Sequence, residues 1–109
     1  MVGSISGNFG NGFSADANVT PFGYYQVSVS TAVTLASLSG GSLPAGARIV
    51  WILPEAGSNV RWRDDGTAPT ASVGMPIVSQ QAWPYEGSLA ALQLVSQSGT
   101  ATVNLWFVG

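Results

Sequence analysis

The chain predicts an all-β fold: an antiparallel β-sandwich or jelly-roll-like barrel of about seven or eight short strands, preceded by an extended N-terminal arm. Three observations carry this expectation. Apolar residues recur with a period of two along much of the chain, the mark of strands with one buried face. Turn signals built from Gly, Pro, Asn and Asp recur about every 8–12 residues, a spacing typical of sandwiches and small barrels. No stretch sustains a helical period beyond about two turns.

The first 22 residues differ from the rest. Gly, Ser and Asn dominate them, interrupted by single apolar residues that include Phe9, Phe13 and Phe22. Such a segment buries too little apolar surface to fold alone and reads as an arm. Its Phe side chains would anchor it on its own domain or on a neighbouring subunit. The expected organisation is therefore an arm over residues 1–22 and one β domain over 23–109.

From Tyr24 the alternation begins. Tyr25, Val27, Val29, Val33 and Leu35 are apolar, with Gln26, Ser28, Ser30 and Thr34 polar between them. That run is long for one strand, so a break is expected near Ser30–Thr31. Ser39 to Ser42 marks a loop, and Pro44-Ala45-Gly46 a turn. Arg48 to Leu53 is apolar on both faces, which predicts a central strand covered on both sides. Asn59 to Arg63 reads as a short strand, with Val60 and Trp62 on one face and Arg61 and Arg63 on the other. Asp64-Asp65-Gly66 signals a turn. Pro69, Gly74 and Pro76 keep the following segment irregular or at a sheet edge. A short strand is expected over 77–81, a turn-linked piece from Trp83 to Gly87, and final strands over 89–96 and 100–108. In the last of these, Val103, Leu105 and Phe107 share a face opposite Asn104 and Trp106.

Charge is the compositional outlier. Charged residues are 7% of the 109, against about 25% in ordinary soluble domains. They are Arg48, Arg61, Arg63, Asp16, Glu55, Asp64, Asp65 and Glu86, with no Lys, His or Cys. Two readings stand side by side: a hydrophilic surface of Ser, Thr, Gln, Asn and Gly, or a surface covered by neighbouring subunits, since interface cores are poor in charge. A net charge of −2 with three Arg does not supply the basic footprint of a nucleic-acid binder. The longest apolar stretch, broken by Arg48, is too short to span a bilayer as a helix. No positive n-region precedes an apolar run at the N-terminus, so the chain is expected to be made and folded in a cytoplasm.

Catalysis is not expected either. Acid–base chemistry recruits His, Lys or a tuned carboxylate, and a nucleophilic Ser or Thr needs an adjacent base. Five carboxylates are all that is on offer. Asp64 and Asp65 are sequence neighbours whose side chains diverge in a strand or turn, and two carboxylates are a thin start for a calcium site. No cofactor or metal is expected.

Half of the charged residues fall between positions 61 and 65. Arg61, Trp62, Arg63, Asp64 and Asp65 are thus the best local candidates for specific contacts, within the fold or across an interface. Trp62, Trp83, Tyr85 and Trp106 raise sugar stacking as an alternative to core or interface roles.

The segment VRWRDDGTAPTASVG at 60–74, with the preceding LPAGARIVWI and the closing ATVNLWFVG, resembles a group of small structural proteins of tailed bacteriophages. The resemblance covers roughly residues 24–109. It implies a virion component, most directly a capsid decoration (cement) protein on the capsid surface that binds the major capsid protein or other virion proteins. It implies no catalytic residues. A receptor- or carbohydrate-binding module of a fibre or spike, and a head–tail joining component, are the alternatives. A homo-oligomer, trimer or dimer, is expected, with Phe9, Phe13, Phe22, Arg61, Trp62, Arg63, Asp64, Asp65, Trp83 and Tyr85 as interface candidates.

Overall fold

A computed structural model describes residues 19–109. They form two antiparallel four-stranded sheets and almost no helix. The strands are β1 (Pro21–Val29), β2 (Val33–Thr34), β3 (Ile49–Pro54), β4 (Val60–Arg63), β5 (Met75–Ile77), β6 (Trp83–Tyr85), β7 (Gln93–Ser96) and β8 (Ala101–Val108). One sheet has the order β1-β8-β3-β6 and the other β2-β7-β4-β5. The pairings nest: β1 lies beside β8, β2 beside β7, β3 beside β6 and β4 beside β5. The chain therefore runs as one long hairpin whose tip is the β4–β5 connection. Its two ends meet where Thr20 and Gly109 exchange backbone hydrogen bonds, each 3.0 Å.

Period-two burial decides which side chains meet. Val29, Val50, Ile52, Val103, Leu105 and Phe107 point inward from the first sheet, and Val60, Ile77 and Leu94 from the second, into one core. Tyr25 meets Phe107 edge to face, with ring centroids 5.9 Å apart. Leu35, Leu89 and Leu92 add to the core from connecting segments. Among the described residues no helix is long and apolar enough to cross a membrane.

The expected break after Ser30 is present, but the strand does not resume through Leu35. Residues Leu35–Leu38 form a single helical turn, α1, capped by the Thr34 hydroxyl, which accepts from the Ser37 N–H at 3.2 Å. Burial overrides the alternation here. Leu35 is fully buried, and the Ser39 hydroxyl closes the turn by donating to the carbonyls of Leu35 and Ser42, both at 2.9 Å.

Three further expectations need correction. The run expected over 48–53 falls largely in β3, a strand with a neighbour on each side, but that strand is not covered on both faces. Val50 and Ile52 are fully buried, whereas Trp51 and Leu53 are each 36% exposed. The strand expected over 89–96 is confined to Gln93–Ser96, because Leu89 and Leu92 enter the core from a turn. The strand expected over 77–81 lies earlier, at Met75–Ile77. Pro76 and Pro84 sit in β5 and β6, the outermost strands of their sheets, where a missing N–H breaks no ladder.

The boundary between arm and domain also moves. Pro21 and Phe22 belong to β1, so the domain begins before residue 23. The register shifts between Pro21 and Gly23, at Phe22. The Phe22 ring packs over Gly46 and Gly109, where any added Cβ would lie within 3.1 Å and 2.6 Å of it. Residues 1–18 of the expected arm, with Phe9 and Phe13, lie outside the described residues.

Candidate functional site

The charged cluster occupies the hairpin tip, where β4 leaves the sheet for the long connection to β5. Alternation along β4 points Val60 and Trp62 toward the core and leaves Arg61 and Arg63 on the opposite face. The two arginines then do different work. Arg61 reaches across the connection, its guanidinium donating to the carbonyls of Ala71 at 3.1 Å and Gly74 at 2.8 Å. Arg63 makes a bidentate pair with Asp65, at 3.0 and 2.5 Å. The Asp65 carboxylate also accepts from the Thr67 N–H at 3.4 Å. Hydrogen bonding to Arg63 is the main reason Asp65 is held below the ordinary carboxylate range, and the same bond raises Arg63.

Asp64 turns the other way. Its carboxylate accepts a 2.6 Å hydrogen bond from the Tyr85 hydroxyl, tying the tip to β6 of the other sheet. The two neighbouring carboxylates therefore serve separate partners. Among the described residues no three His, Cys, Asp or Glu side chains gather as a metal site.

Tyr85, offered by the sequence as an interface residue, is instead a core residue. It is 5% exposed, meets Trp62 edge to face at 5.2 Å, and its hydroxyl also donates to the Ser88 carbonyl at 3.3 Å. Burial is the largest cause of its raised pKa, the Asp64 bond the next, and together they push the pKa up to about 12. Trp62 is half-buried against the same core, so little more than its edge is left for a partner. Trp83 remains 44% exposed at the outer strand of its sheet. Val73 and Met75, also exposed, flank a shallow hollow of about 410 Å³ at the tip beside Arg63 and Asp65.

A second apolar surface lies on the outer face of the sheet β1-β8-β3-β6. Strand register places Tyr24 beside Trp106, and Trp106 beside Trp51, in one row across three strands. The adjacent row is Gln26, Asn104 and Leu53. Asn104 is the polar hub. Its Oδ1 accepts from the Tyr24 hydroxyl and, at 3.3 Å, from Gln26 Nε2. Its Nδ2 donates to the Leu53 carbonyl at 3.2 Å and to Glu55 Oε2 at 2.6 Å. Sequence reasoning named Trp106 but missed its companions. Odd–even alternation does signal that Tyr24 and Trp106 oppose the core, yet nothing local signals that they are neighbours.

No protein-family model, no curated protein and no solved structure matches the chain.

Proposed function

We propose that this chain is a structural protein of a tailed-bacteriophage particle, most directly a decoration protein that binds across joints between capsid subunits. It acts by contact and not by catalysis. The observation that carries this reading is the hairpin tip. The segment of distinctive phage resemblance, residues 60–74, coincides with the loop pinned by Arg61 and displaying the Arg63–Asp65 pair beside exposed Val73 and Met75. A loop held by charge-assisted bonds presents a preformed surface, so less ordering entropy opposes docking.

The strand order supports the finer fold reading as well. Nested pairing of eight strands into β1-β8-β3-β6 and β2-β7-β4-β5 is the connectivity of a jelly-roll sandwich, an architecture used by capsid and lectin domains. Fold alone does not assign function. The scarcity of charge adds the physical reason for assembly, because a neutral surface loses little hydration when a neighbour covers it.

On this reading the tip seats on the shell, and binding to the assembled shell alone stabilises it by mass action. Protein analysis of purified particles of the encoding phage is the test. The chain should be present in many copies, and particles lacking it should open more readily on heating or at low ionic strength. Its absence from the particles would overturn the reading. The free chain is expected to form a trimer or dimer, checked by light scattering.

A further inference from the structure

We propose that the outer face of the sheet β1-β8-β3-β6 is a binding site for a neutral, unbranched glycan of hexopyranose units. It goes beyond the structural role and does not depend on it. Tyr24, Trp106 and Trp51 stand on adjacent strands in a single row, so their backbones are spaced about 4.8 Å apart. The row of Gln26, Asn104 and Leu53 runs parallel to it, two residues along each strand, or about 7 Å away. An aromatic row thus lies alongside a row that carries the amides of Gln26 and Asn104.

The aromatic strip is held in a definite pose. The Tyr24 hydroxyl bonds to Asn104, which sits two positions along the neighbouring strand. To reach it, the Tyr24 side chain leans over the sheet toward the amide row, and it remains 59% exposed. Trp51 and Trp106 are 36% and 40% exposed. Together with Leu53 and Ala82 they line a shallow depression of about 590 Å³.

Charge selects the occupant. None of the described residues lining this depression is charged, and the adjoining Glu55 carboxylate accepts an N–H from Asn104. Among those described lining residues no cation is present to meet phosphate, sulfate or uronate, and the neighbouring carboxylate disfavours anions. A wholly apolar partner would strip water from the Asn104, Gln26 and Glu55 cluster without replacing it. A pyranose chain matches both strips. Its C–H faces lie on the rings, whose π faces are electron-rich, and its equatorial hydroxyls meet the amide and carboxylate edge. Apolar walls with a few placed polar groups are the usual make-up of a small-ligand site.

The test uses the full chain and three probes: a neutral β-glucan hexasaccharide, a neutral β-mannan hexasaccharide and heparin. Tryptophan fluorescence should change on titration with at least one neutral probe and not with heparin. Trp51→Ala and Trp106→Ala should each weaken that binding about tenfold or more, while circular dichroism shows each variant folded at the assay temperature. Asn104→Asp, which puts a second carboxylate beside Glu55, should weaken it while the rings remain. Absence of binding to both neutral probes overturns the proposal, as does binding that survives both tryptophan substitutions. So does light scattering showing an oligomer that Trp106→Ala dissociates, since the face would then be buried between copies. Presence or absence of the chain in purified particles bears on the structural reading alone, so the two can fail separately.

Discussion

At the scale of single residues, the informative groups are polar ones whose partners lie far away in sequence. Tyr85 is the clearest. Burial and the Asp64 bond raise its pKa from the ordinary 10.0 to about 12, so the folded state favours the neutral phenol. The sign follows by linkage. This contribution to stability is fully present below the unfolded value and is lost as pH rises through about 12. Alkaline titration followed by phenolate absorbance should therefore show one tyrosine ionising late, and Tyr85→Phe should remove that step. The Arg63–Asp65 pair is different, because both groups are solvated and exposed ion pairs contribute little. Asp65→Asn should leave the thermal midpoint nearly unchanged. A large drop would show that the pair holds the loop. The two Asp residues look equivalent in the sequence. One is a surface partner and the other is the link between sheets.

At the scale of elements, the β4–β5 connection is organised by a side chain of the strand that precedes it. Arg61 donates to two loop carbonyls, and hydrogen bonds to charged groups contribute about 1.5–3 kcal/mol. Arg61→Ala should therefore destabilise the domain by about 1.5–3 kcal/mol and open residues 64–74 to proteolysis. Arg61→Lys should rescue only in part, since an ammonium cannot reproduce the planar fork. Gly74 belongs to the same device. Its φ of 142° and an added Cβ only 3.0 Å from Arg61 Cβ and 3.1 Å from the Trp62 carbonyl make Gly74→Ala destabilising as well. Limited proteolysis beside thermal melts checks both variants. The turn signal at Asp64-Asp65-Gly66 was legible in the sequence. That the loop closes on Arg61 was not, because the acceptors are backbone carbonyls, which every residue type carries.

At the scale of the whole molecule, two sheets share one core, so they should be lost together. Phe107 is fully buried and packs against Tyr25. Phe107→Ala should cost about 3–5 kcal/mol, with circular dichroism and tryptophan fluorescence reporting the same denaturant midpoint. Separate transitions would show that the sheets unfold independently. Its neighbour Trp106, on the opposite face of β8 and 40% exposed, should cost clearly less than Phe107 when replaced by Ala. The contrast separates the side of the strand that holds the fold together from the side left for a ligand.

Local pattern by itself determined a good deal. Period-two alternation marks β8 residue by residue, with Val103, Leu105 and Phe107 inward and Asn104 and Trp106 outward. Pro76 marks an outer strand, and the composition leaves the surface almost free of charge. These follow from the chain's own geometry, since successive strand residues point to opposite faces. What only the tertiary structure decided is which strands are neighbours and in what register. Tyr24, Trp51 and Trp106 are far apart in the chain, and only the nested pairing of β1, β8 and β3 sets them in a row. The apolar run of β3 looked buried on both faces because hydrophobicity reports a preference for cover and not its presence. Tyr85 looked available because its partner Asp64 lies across the fold. Contacts between distant segments depend on the loops that close them, and no local period encodes that.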